Sequence, residues 1–195
     1  MTNETPRILS RNEALSIEQS ACPMLVLSDY LGPGFWGWFS KQVRLRTPDP
    51  RTHRPGEYSH AMWLLNQRQV ATQGRRFWRR PLTRYVDRYH RVKFWWNPKW
   101  RGIQKVAILW NLQNDLKYRG GYDYVGIFGR FIGFPGFEIP WLHYCSEEAG
   151  ETLRMAEPGY TLEHGSPADL DRWCKGNDRM RCWGVYDPTI AARRD

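Results

Sequence analysis

Trp141-Leu142-His143-Tyr144-Cys145-Ser146-Glu147-Glu148 carries an aromatic, strand-like approach into a cysteine and then into an acidic run. Beyond Cys145 the small and apolar positions fall at Ala149, Thr152, Leu153 and Ala156, which is the spacing of one helix face. Glu147, Glu148 and Glu151 occupy the first turns and Arg154 comes later, the order a helix dipole favours. A thiol in the first turn of such a helix faces backbone N–H groups that lack an intrahelical partner, and these favour thiolate over thiol. The three glutamates oppose that shift. A free cysteine is also commonly a small buried hydrophobe, so Cys145 gains meaning only from what the rest of the chain brings beside it.

At 195 residues with 11 tryptophans, the chain is expected to bury a core as one domain. The expected division is a polar N-terminal arm over 1–19, a domain over 20–174 and a polar tail without clear pattern over 175–195. Four cysteines, Cys22, Cys145, Cys174 and Cys182, are too scattered for a disulfide framework, and none makes the close pair of a zinc site. No metal and no cofactor is expected. No stretch approaches a membrane span, and the first residues lack the basic and apolar regions of an export signal, so cytoplasmic synthesis is expected. The net charge of +9 suits an anionic neighbour, whether cell-wall polymer, membrane surface or nucleic acid.

Met24-Leu25-Val26-Leu27 is an apolar run of buried-strand type. The aromatic and basic residues from Phe35 to Arg46 read as an amphipathic helix or turn, and three prolines over 47–56 mark a surface loop. Over 58–65 the residues alternate as a strand, with Tyr58, His60, Met62 and Leu64 on one face. If Asn66-Gln67 is a two-residue turn into a strand over 68–73, His60 lies opposite Gln73, whose amide can hold the imidazole in one tautomer. A longer loop shifts the register and favours Thr72. Residues 74–101 interleave arginines with Phe77, Trp78, Tyr85, Tyr89 and Trp95, as single-strand binders do. The same pattern fits a helix over 81–89 with a solvated basic face, followed by a strand over 92–96. Residues 103–117 read as a helix burying Ile103, Val106, Ala107 and Trp110 with a flank of Leu109, Leu112 and Leu116. Ser166-Pro167 starts another helix with a capping serine.

A nucleophilic cysteine needs a base in hydrogen-bond reach and a group that orients the base. Of the five histidines, His60 alone lies in a clean strand with a polar residue across from it. The order of blocks, from the apolar 24–27 run through Tyr58-Ser59-His60, Thr72-Gln73 and Tyr122-Asp123-Tyr124 to Tyr144-Cys145-Ser146-Glu147, resembles the circularly permuted papain-like cysteine hydrolases. That branch is related to NlpC-type cell-wall peptidases and lecithin retinol acyltransferase. The histidine precedes the cysteine, which is the permuted order. The resemblance implies an α+β papain-like fold, an antiparallel sheet or half-barrel packed on the nucleophile's helix. It also implies Cys145 as nucleophile, His60 as base, Gln73 or Thr72 as the orienting residue, and Tyr58, Tyr122 and Tyr144 as substrate-binding residues. Many relatives have a glutamate in the third position, where this chain offers only neutral groups.

The expected function is therefore a cysteine amidase or peptidase working through a thioester, with peptidoglycan-type amides as the substrate class. An origin in a bacterium or a phage, whose lysis system or virion would carry it to the wall, fits the missing export signal. Two alternatives are a lipid-directed acyltransferase or hydrolase using Phe35, Trp36, Trp38 and Phe39 as an interfacial patch, and a nucleic-acid-binding or structural module using 74–101.

Overall fold

In a computed structural model of the chain, residues 5–48, 53–73, 77–118, 145–161 and 165–192 are described. They form an α+β fold around a mixed, mostly antiparallel sheet of seven strands in the order β1-β7-β6-β2-β3-β4-β5. The strands are β1 (Ile8–Leu9), β2 (Met24–Tyr30), β3 (His60–Asn66), β4 (Gln69–Gln73), β5 (Phe77–Pro81), β6 (His90–Trp96) and β7 (Arg181–Tyr186). The helices are α1 (Arg11–Leu15), α2 (Gly34–Arg46), α3 (Gly102–Tyr118), α4 (Cys145–Ala156), α5 (Pro167–Gly176) and α6 (Pro188–Ala191). Only β1 and β7 pair in parallel.

The apolar run in β2 is unbroken because that strand lies between β3 and β6 and is covered on both faces. Leu25 and Leu27 join Ala61, Trp63, Ala71 and Trp95 under α3, α4 and α5, which contribute Ile108, Leu112, Ala149, Leu153 and Leu170. Met24 and Val26 join Met62, Leu64, Val70, Val92 and Phe94 on the opposite face, closed by Leu9, Ile17, Leu82 and Val86. Truncating a fully buried ring such as Trp63 costs about 3–5 kcal/mol in transfer and cavity terms together.

Three buried carboxylates pin the layers. Asp171 of α5 meets Lys93 Nζ at 2.9 Å and Lys175 Nζ at 2.7 Å, and Trp95 Nε1 donates to it at 2.9 Å. Glu157, just past α4, accepts from Asn97 Nδ2 and from Trp100 Nε1. Asp29, with no exposed surface, meets Arg44 Nε at 3.1 Å and accepts from Ser40 Oγ at 2.7 Å, which ties α2 to the end of β2.

Several sequence expectations change. Leu9, Ala14 and Ile17 of the supposed arm are buried, and the supposed tail supplies β7, a strand inside the sheet, so the sheet extends on both sides of 20–174. Gly184 belongs there for packing: a Cβ on it would lie 2.7 Å from the Leu9 side chain. The helix expected over 81–89 is instead the end of β5 and a single 3-10 turn (Leu82–Arg84). In α3 the expected core residues Ile103, Val106 and Trp110 are 76, 63 and 62% exposed, whereas Leu112 of the expected flank is buried, together with Ile108. The helix that Ser166 starts is present as α5, with a full capping box between Ser166 and Asp169.

Candidate active site

Cys145 opens α4 and His60 opens β3, so the two side chains meet where both elements begin. The helix is seated by Ala149, Thr152, Leu153 and Ala156, all buried as the spacing predicts. Gly150 makes room for Tyr160, whose hydroxyl would be 2.7 Å from an added Cβ. The start of β3 is fixed by Ser59, whose N–H donates to Ser28 O at 3.1 Å and whose hydroxyl bonds Ser40 Oγ next to Asp29. These anchors hold the backbone of the strand's first residue from one side while α4 brings the thiol from the other.

The imidazole of His60 is part-buried and bonded on two sides. Its Nε2 meets Thr72 Oγ1 at 2.6 Å, and its ring also hydrogen-bonds with the Cys145 side chain. Burial alone pushes the histidine's pKa down, because the cation is desolvated. Two interactions with Cys145, one electrostatic and one a hydrogen bond, together outweigh that, so the net shift is upward from the ordinary 6.5. Cys145 is itself buried, as the bland reading of a free cysteine would have it, yet it is bonded to an imidazole.

The third residue differs from the first expectation for a physical reason. The turn falls at 67–68 with Asn66 paired to Gln69, and Asn66 Oδ1 caps it by accepting from the N–H groups of Arg68 and Gln69 at 2.9 and 3.0 Å. A register shift between Leu64 and Asn66 then puts Met62 opposite Thr72. A one-residue slip exchanges the faces of a strand. Thr72 therefore lies on the His60 side, and Gln73 falls on the side of Ala71, buried, opposite Phe77 of β5.

Tyr85, which the sequence reading passed over among arginines, belongs to this constellation. Its ring stacks on that of His60 at 6.4 Å between centroids and 16° between planes, and its hydroxyl hydrogen-bonds with Thr72. Burial raises the pKa of this phenol above its usual value, and its neighbours Thr72, Arg84 and Arg80 pull the other way without reversing the shift, so the group stays protonated. The row of rings continues to His90 at 5.6 Å and from there to Tyr30 at 5.0 Å.

Tyr58, expected to touch substrate, is buried among the residues under α4 and α5, with the Lys93 ammonium 5.8 Å and the Arg91 guanidinium 5.4 Å from its ring centre, which leaves it no surface to offer. Tyr122, Asp123, Tyr124, His143, Tyr144 and His164 lie outside the described residues. Burial pushes the Cys22 thiol up to about 11 and raises those of Cys174 and Cys182 as well. Among the described residues no group of three or more His, Cys, Asp or Glu side chains is placed to hold a metal ion, and no helix is long and apolar enough to cross a membrane. Comparison with protein-family profiles, with curated proteins and with solved structures finds no match to this chain.

Proposed function

We propose that this chain is a cysteine hydrolase of the permuted papain-like kind, cleaving amide bonds through a thioester with Cys145 as nucleophile. The observation that carries the proposal is the imidazole of His60, bonded to the Cys145 side chain and to Thr72 Oγ1. With Nε2 committed to Thr72, Nδ1 is the nitrogen left to serve the sulfur. It takes the thiol proton as Sγ adds to the carbonyl carbon, and returns it to the leaving amine as the C–N bond breaks. Water, deprotonated by the same nitrogen, then opens the thioester to the carboxylic acid and restores the thiol. Backbone N–H groups at the start of α4 are suited to the oxyanion, since the first turn of a helix leaves them without partners.

Peptidoglycan-type amides are the substrate class favoured by charge. Arg80 and Arg84 act electrostatically on Tyr85, whose ring stacks on His60, so carboxylates flanking a scissile bond would find cations on that side of the site. Thr72, being neutral, orients the ring but stabilises imidazolium less than a carboxylate would, and a modest turnover is expected.

The test is the rate of modification of each cysteine by a thiol-reactive amide, followed by mass spectrometry, together with amine release from peptidoglycan stem peptides. Cys145 is expected to react fastest of the four thiols, and His60→Ala is expected to abolish that advantage. Reaction of Cys145 no faster than Cys22, or indifference to His60→Ala, would remove the basis for a hydrolase.

A further inference from the structure

The aromatic patch at the start of α2 has no part in the chemistry above. Phe35, Trp36 and Trp38 are 64, 60 and 56% exposed. Phe35 sits among Trp36, Trp38 and Phe39 at centroid distances of 5.4, 5.9 and 6.1 Å. Scattered apolar side chains on a surface need no explanation, but a contiguous cluster of rings does.

The backbone holds these rings outward. Gly37 is the inward position of the first turn: a Cβ there would lie 1.8 Å from Gly32 O, so only glycine lets the helix start press against the turn before it. Gly32 in turn lies flat against the Tyr30 ring, where an added Cβ would be 2.5 Å away. With positions 32 and 37 turned in, Phe35, Trp36 and Trp38 pack on one another and keep more than half of their surface in solvent. Farther along, Ser40 and Arg44 bind Asp29, which fixes the helix rigidly to the sheet.

The charges around the patch have one sign. No Asp or Glu occurs between Asp29 and Asp49, while Lys41, Arg44 and Arg46 all fall on α2. Lys41 and Arg46 are exposed. Indole rings favour the boundary between lipid headgroups and acyl chains, where the apolar body is buried and the N–H stays hydrated, and cations one or two turns away meet anionic headgroups. We infer that the first two turns of α2 dock this protein on an anionic lipid surface, the rings entering the headgroup boundary while Lys41 pairs with lipid phosphates. The inference holds whatever chemistry Cys145 performs.

The experiment is co-sedimentation of the full chain with vesicles of phosphatidylcholine alone or mixed with phosphatidylglycerol. The wild type is expected to sediment with the anionic vesicles and less with the neutral ones, and added salt is expected to weaken the binding. F35S/W36S/W38S replaces rings already in solvent and is expected to keep the wild-type melting temperature while losing roughly tenfold or more in partitioning. K41Q is expected to lose affinity for the anionic vesicles only. I103S/V106S/W110S, on the exposed flank of α3, is expected to bind as the wild type does. Brominated acyl chains are expected to quench wild-type tryptophan fluorescence, which needs no variant. Wild-type-like binding by F35S/W36S/W38S, an absence of bromolipid quenching, or loss of binding in the α3 variant would overturn the inference. So would a dimer in vesicle-free solution that F35S/W36S/W38S dissolves, since that outcome gives the rings to a second copy.

Discussion

His60 and His90 stand in one row of rings, with Tyr85 between them, yet they have opposite partners. His90 has the carboxylate that a general base is usually given: its Nδ1 lies 2.8 Å from Asp87 Oδ1. His60 has only the hydroxyl of Thr72, but it has the thiol of Cys145. The same Asp87 oxygen accepts from the N–H groups of Tyr89 and His90 at 2.7 and 3.0 Å, so that carboxylate closes the turn into β6 and the histidine's bond is part of the closure. Residue type alone would choose the His90–Asp87 pair as the reactive one. The convergence of two element starts, α4 and β3, instead brings His60 to the Cys145 side chain.

Substitutions at the two histidines should break this comparison most sharply. His60→Ala is expected to slow modification of Cys145 and any amide hydrolysis by about a hundredfold or more, the usual scale of losing a positioned base. His90→Ala is expected to leave both within about threefold, because His90 serves the turn. Stopped-flow labelling of the two variants side by side checks both expectations, and equal losses would erase the distinction.

Thr72→Val comes next. It keeps the shape of the side chain and removes one hydrogen bond to the imidazole, about 1 kcal/mol, so the labelling rate should fall by roughly fivefold. Gln73→Leu, on the other side of β4, should change the rate less than Thr72→Val does. The reverse order would restore the turn at Asn66-Gln67 and the register expected from sequence.

Asp87→Ala sharpens the comparison from the other side. It removes the acceptor for two backbone N–H groups and should lower stability by about 1–2 kcal/mol in a denaturant titration, with the Cys145 labelling rate unchanged. A labelling rate that fell with Asp87→Ala would tie the His90 end of the row to the reactive centre.

The legibility of the molecule followed the same division between local pattern and convergence. β2, β3, β6 and α4 were readable because each carries an apolar pattern with one consistent period. In α3 apolar residues surround most of the helix, so the period allowed more than one buried face, and packing against α4 kept Leu112 of the expected flank, added Ile108 and left Ile103 and Trp110 in solvent. β7 was hidden because Arg181 and Gly184 interrupt its pattern, and its place in the sheet depends on β1 and β6 from distant parts of the chain. At the site, Cys145 and His60 could be read from a helix start and a strand. Thr72 depended on a register shift near Leu64 that only the folded hairpin fixes. Tyr85 depended on a 3-10 turn that the surrounding arginines disguised as part of a basic helix.

The pairing of His60 with Cys145 is tested most directly by the titration of the His60 ring, followed by NMR in the wild type and in Cys145→Ala. Both influences that raise its pKa come from Cys145, and burial, the one that lowers it, remains when the sulfur is gone. The His60 pKa is therefore expected above about 6.5 in the wild type and below it in the variant. An unchanged His60 titration on removal of the sulfur would contradict the thiol–imidazole pair on which the proposed chemistry rests.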